Sequence, residues 1–148
     1  MKRSHRLSIY WLSGGLLLSG LMWLYGVYFV RVVDQFGFEN PHPAQKWLLV
    51  AHALFALPTV WLLGFLWHIH IKSGWQKKLK RWTGGTLCAL ALWMALSGYT
   101  LYYVGSDTVR SWLSWSHWIA GLVALVVLLI HIWQSRALEL KERNASGE

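Results

Sequence analysis

Histidine is the residue type in this chain with the most chemistry to offer, because a neutral imidazole nitrogen binds transition metals, and seven histidines occur in 148 residues. His5 and His42 fall outside the long apolar runs and are expected only to face water. The other five are His52, His68, His70, His117 and His131, in or at the ends of two apolar runs. An ionisable side chain inside a membrane helix is costly, so it turns to the bundle interior and serves a purpose. His117 and His131 are 14 residues apart. On an α-helix that is about 21 Å of rise and about 40° of turn, so both share a face. His52 and His70 are 18 apart, about five full turns, and also share a face. His68 would point about 160° away from His52 on a straight helix. Pro58 removes a backbone hydrogen bond and can kink or rewind the segment, which keeps His68 open as the alternative to His70.

The elements that must position these rings follow from composition. The chain is 55% hydrophobic and 14% charged, with 12 Trp. A soluble fold of this size would have to expose much of that surface, whereas a bilayer accepts it. Four apolar runs, about residues 7–30, 47–71, 82–103 and 112–133, are each long enough to cross a membrane. Unpaired backbone groups are excluded from hydrocarbon, so each run is expected to be helical throughout. The connections are short, which predicts an all-α, up-down-up-down four-helix membrane bundle forming one domain over residues 1–148. The basic N-terminus resembles a signal peptide, but its apolar stretch is too long and has no small-residue cleavage site, so it reads as the first span. Cys88 stands alone in an apolar run and reads as core filling.

The net charge of +8 does not mark a nucleic-acid binder, because the charges cluster at the ends of the runs. Lys2, Arg3, Arg6, Lys72, Lys77, Lys78, Lys80, Arg81, Arg136, Lys141 and Arg143 lie on one side; only Arg31, Lys46 and Arg110 lie on the other. The positive-inside rule then puts both termini on the cytoplasmic side. Trp47, Trp112, Trp115 and Trp118 are expected in one interfacial belt, and Trp11, Trp75, Trp82 and Trp133 in the other.

With that topology the second and fourth spans run in the same direction. His52 and His117 reach one side, and His70 and His131 the other. Paired imidazoles at two depths are what two stacked bis-histidine haems require, held between the second and fourth helices. Two axial ligands leave no position for oxygen and favour electron transfer. No carboxylate lies inside a span to build another metal site, and the absence of a CxxCH motif rules out covalent c-type attachment. Arg31, Arg110, Lys72 and Arg81 are candidates to pair with haem propionates, with interfacial anchoring as the plainer role. Tyr99, Tyr102 and Tyr103 could line a quinone pocket, though an interfacial belt explains them more simply.

Three segments carry a family resemblance: His70-Ile71-Lys72-Ser73-Gly74-Trp75, Ser97-Gly98-Tyr99-Thr100-Leu101-Tyr102-Tyr103, and His117-Trp118-Ile119-Ala120-Gly121-Leu122 followed by His131. Over about residues 47–135 the chain resembles the small bacterial four-helix di-haem b-type cytochromes grouped near the cytochrome b561 and cytochrome b/b6 families. The resemblance implies two non-covalent haem b groups with His52, His70, His117 and His131 as iron ligands, His70 rather than His68. The expected activity is electron transfer between membrane quinone and a periplasmic or membrane redox protein such as a c-type cytochrome. The chain departs from hydrogenase-type b cytochromes, since its first span has no ligand histidine, and from the 14-residue ligand spacing of the respiratory cytochrome b core on the second span. A role as a subunit of a quinol/quinone oxidoreductase is compatible with these features. So are two rivals, a haem-containing anchor of a larger redox complex and a haem-free transporter or channel subunit.

Overall fold

The computed structural model describes residues 3–76 and 80–146, apart from the side chains of Arg3, Ser4, His68, Glu139, Glu142, Arg143, Ala145 and Ser146. Lys2, Lys77 and Lys78 of the charge count, and the His68 side chain, lie outside the described residues. In chain order the elements are α1 (Arg3–Phe29), β1 (Arg31–Val33), β2 (Glu39–Pro41), α2 (Ala44–Leu66), a π-helical turn (Trp67–Ile71), α3 (Lys72–Gln76), α4 (Arg81–Tyr103) and α5 (Asp107–Ser146).

Four stretches are long and apolar enough to cross a membrane: His5–Phe29, Ala44–Leu66, Arg81–Tyr103 and Asp107–Leu138. The fold is that of a small multi-pass membrane protein. Its side chains are distributed accordingly. Trp82 is 90% exposed and Trp11 77%, while the most enclosed side chain described is Ser97, at 2%. Large apolar groups face outward, where lipid rather than water would meet them, and small polar groups lie inside.

The chain divides into two compact units, Met1–Leu66 and Trp67–Glu148. In the first, α1 and α2 form an antiparallel hairpin: Gly26 lies against Gln45, Ser19 against His52 and Gly15 against Phe55, so the partner number falls as the chain rises. The second unit pairs α4 with α5 in the same sense, Thr83 meeting His131 and Ser97 meeting His117. Only Val104, Gly105 and Ser106 join these two helices. The Arg110 guanidinium reaches back to the Leu101 and Val104 carbonyls, which would otherwise lack partners at the helix end.

Three features differ from the sequence reading. The expected first loop contains a small antiparallel ladder, with Arg31 opposite Pro41 and Val33 opposite Glu39. Its turn is closed by the Gly37 N–H donating to the Asp34 carbonyl at 3.0 Å, with Gly37 at φ 85°, a left-handed position that glycine fills without steric cost. The expected second helix is not α throughout, because α2 ends at Leu66 and the backbone widens into the π turn before α3. Widening changes the rotation per residue, so counting turns from His52 along a straight helix does not locate His70. Finally, α5 has 40 residues, well past the expected end near residue 133, since Ala, Leu, Glu, Lys and Arg after the span all favour helix.

Candidate functional site: histidines braced by hydroxyls

Three of the singled-out histidines share one local arrangement. In the first unit, His52 Nδ1 lies 3.1 Å from Ser19 Oγ on α1 and 3.1 Å from the Leu16 carbonyl oxygen. In the second unit, His117 Nδ1 lies 2.9 Å from Ser97 Oγ and His131 Nδ1 lies 2.8 Å from Thr83 Oγ1, both on α4. Each hydroxyl is followed by a glycine that lies under the ring. A Cβ on Gly20 would come 3.1 Å from His52 Cε1, one on Gly98 3.2 Å from His117 Cε1, and one on Gly84 3.8 Å from His131 Cε1. A serine or threonine and then a glycine thus form a seat: an oxygen for the ring nitrogen, and bare backbone where the ring edge rests.

The repeat has a structural cause. Thr83 and Ser97 are 14 residues apart on α4, as are His117 and His131 on α5. Paired antiparallel helices keep step, so equal spacings meet at both levels. Hydrogen bonds between membrane helices contribute about 0.6 kcal/mol each on average, with a maximum near 1.7. Three of them add little to stability, and their larger effect is to orient the rings.

His70, on the π turn, and His131, on α5, belong to the same unit and lie close together. Their ring centres are 6.2 Å apart and the ring planes are 86° from one another. A metal–imidazole nitrogen bond of about 2.0 Å on each side, plus roughly 1 Å from nitrogen to ring centre, puts two axial imidazoles about 6 Å apart. The observed separation fits a shared metal between them. Among the described residues no three His, Cys, Asp or Glu side chains gather around one point. A pair of histidines suits a cofactor that supplies its own equatorial nitrogens. His52 belongs to the first unit and His117 to the second.

His5 needs correction. It was expected to face water, but α1 already begins at Arg3. The ring packs edge-on against Phe65 at 5.4 Å, and its Nδ1 is buried without a hydrogen bond among the described residues. His42 is exposed as expected and accepts the Ala44 N–H at Nδ1, 3.1 Å away. Arg81 lies over the Trp75 ring at 5.4 Å and donates from Nε to the Trp75 carbonyl at 2.9 Å. With Arg110 on the end of α4, two of the cations considered for propionates thus have protein partners. Sequence reasoning passed over Ser19, Thr83 and Ser97. Their signal was available, as hydroxyl–glycine steps repeated at the spacing of the histidines.

Comparison with family models, curated proteins and solved structures finds no match to this chain.

Proposed function

We propose that this chain is a b-type cytochrome that holds two haem b groups non-covalently and passes electrons between membrane quinone and a redox protein partner. The single observation that carries the reading is the His70–His131 pair, 6.2 Å between ring centres with nearly perpendicular planes, inside a chain with four membrane-spanning candidates. His70 and His131 would hold one haem; His52 and His117, matched in depth by sequence, would hold the other. Bound haem supplies the one-electron redox change. The protein contributes the rest: ring orientation from the hydroxyl seats, an apolar surround that raises the cost of charge, and axial saturation that keeps oxygen off the iron. The resemblance to small bacterial four-helix b-type cytochromes supports the same assignment. The one-sided placement of Lys and Arg supports both termini being cytoplasmic, and the family resemblance supports a bacterial inner membrane location.

The deciding measurement is the visible spectrum of the purified chain, oxidised and reduced, with a pyridine haemochrome assay. The expected result is about two haem b per chain, one for each proposed pair of axial histidines. A colourless protein, or c-type haem, overturns the assignment; one haem per chain would leave one of the two histidine pairs without iron.

A further inference from the structure

We propose that Ser19, Ser97 and Thr83 are positioning residues that choose which nitrogen of His52, His117 and His131 binds iron. The inference rests on the haem reading above and deepens it. A carbonyl oxygen can only accept, so the Leu16 carbonyl 3.1 Å from His52 Nδ1 requires a proton on that nitrogen. Ser19 agrees, because its one hydroxyl proton goes to the Gly15 carbonyl at 2.6 Å, leaving Oγ to accept from His52. Ser97 repeats the logic: it donates to the Trp93 carbonyl at 2.7 Å, so at 2.9 Å it accepts the Nδ1–H of His117. Thr83 is the looser case. Its proton has only longer acceptors, Gln134 Oε1 at 3.2 Å and the Lys80 carbonyl at 3.4 Å, while His131 Nδ1 is 2.8 Å away.

A proton fixed on Nδ1 places the ring's lone pair on Nε2, which becomes the ligating nitrogen. An accepted Nδ1–H also makes Nε2 more basic. That favours ferric over ferrous iron and lowers the midpoint potential. Of the three, His131 is held least firmly, because the Thr83 proton is not committed to a short acceptor. His70 has no hydrogen-bond partner among the described residues, and its ring meets that of His131.

The test compares full-length wild type with Ser97→Ala and Ser97→Thr. Redox titration and low-temperature electron paramagnetic resonance read the iron; 15N resonances of labelled histidine, recorded on the haem-depleted full chain, read the tautomer directly. Ser97→Ala is expected to retain haem, raise one of the two midpoint potentials and shift one low-spin signal, and Ser97→Thr is expected to restore both. In the depleted chain, the His117 Nδ1–H signature should be present in wild type and give way to a tautomer mixture in Ser97→Ala. An unchanged potential and an unchanged tautomer, or a wild-type His117 protonated at Nε2, overturns the proposal. Should Ser97→Ala lose its haem on purification, Ser19→Ala with the 15N measurement on His52 decides the matter, with Leu16 as the remaining acceptor and a smaller change expected. A wild type without haem refutes the cytochrome reading and with it the choice of iron ligand, while the nitrogen resonances separately report whether the hydroxyls hold the Nδ1 proton.

Discussion

The two hairpins are built alike but furnished differently. The α4–α5 hairpin has two seats, Thr83-Gly84 under His131 and Ser97-Gly98 under His117. The α1–α2 hairpin has one, Ser19-Gly20 under His52. Where its second level would fall, 14 residues on from His52, the chain has Leu66, which is buried. Fourteen residues before Ser19 comes His5, packed on Phe65 rather than seated by a hydroxyl. Four residues after Leu66, on the π turn, comes His70, whose ring meets that of His131 in its own unit. The lesson is that a change of helix type can present a histidine where a straight-helix register does not, and that histidine lacks the hydroxyl seat found at His52, His117 and His131.

Removing ligands is the strongest way to break this comparison. His131→Ala and His70→Ala are each expected to lower the low-spin haem signal by about half, because each removes one proposed axial ligand of the same iron. His5→Ala is expected to leave haem content unchanged, since that ring only packs on Phe65. A loss of haem in His5→Ala would mean that the first hairpin carries a second ligand after all.

Next come the seats. Gly98→Ala puts a Cβ 3.2 Å from His117 Cε1, whereas Gly84→Ala has 3.8 Å to His131 Cε1, an ordinary contact. Overpacking costs about 1–3 kcal/mol, and about 1.4 kcal/mol is a tenfold change in an equilibrium. Gly98→Ala should therefore hold haem roughly tenfold more weakly in a competition against apomyoglobin, while Gly84→Ala should match wild type. Equal behaviour of the two variants would show that the seats do not control ring placement.

The smallest effect is expected far from the histidines, in the β1–β2 turn. Backbone N–H groups of Phe38 and Phe36 donate to Asp34 Oδ1 at 2.9 Å, and Asn40 Nδ2 donates to Oδ2 at 3.0 Å. These donors, the Phe38 N–H foremost, hold the Asp34 carboxyl below its ordinary range. A lowered native value stabilises the turn above the unfolded carboxyl's pKa, and that support is lost as pH falls through the native value. Amide protection at Phe36 and Phe38, measured against the intrinsic exchange rate at each pH, should fall in acid and, at neutral pH, in Asp34→Asn. The haem spectrum should follow neither change.

Much of this architecture was legible in the chain because hydrocarbon punishes alternatives: four apolar runs can only be helices, and their ends are marked by Lys, Arg and Trp. The 14-residue spacing of His117 and His131 was equally readable, since α5 is a continuous helix. The π turn was not. Whether a helix pairs i to i+4 or i to i+5 depends on small packing preferences that Trp67-His68-Ile69-His70-Ile71 does not spell out. The ladder at 31–41 was missed because three-residue strands are too short to show alternation, although Asp34 and Gly37 are good turn residues. His5 was misjudged for a local reason: a basic tip looked like an interface, while the helix had already begun.

The enclosed polar seam has a consequence for how the chain enters a membrane. A lone helix bearing Ser97 or His117 would have to present these groups to hydrocarbon, but α4 and α5 joined by three residues present them to each other. The same holds for α1 and α2 at Ser19 and His52. Each pair can therefore cross as a hairpin with these hydrogen bonds already made, so the unit of insertion is two helices rather than one.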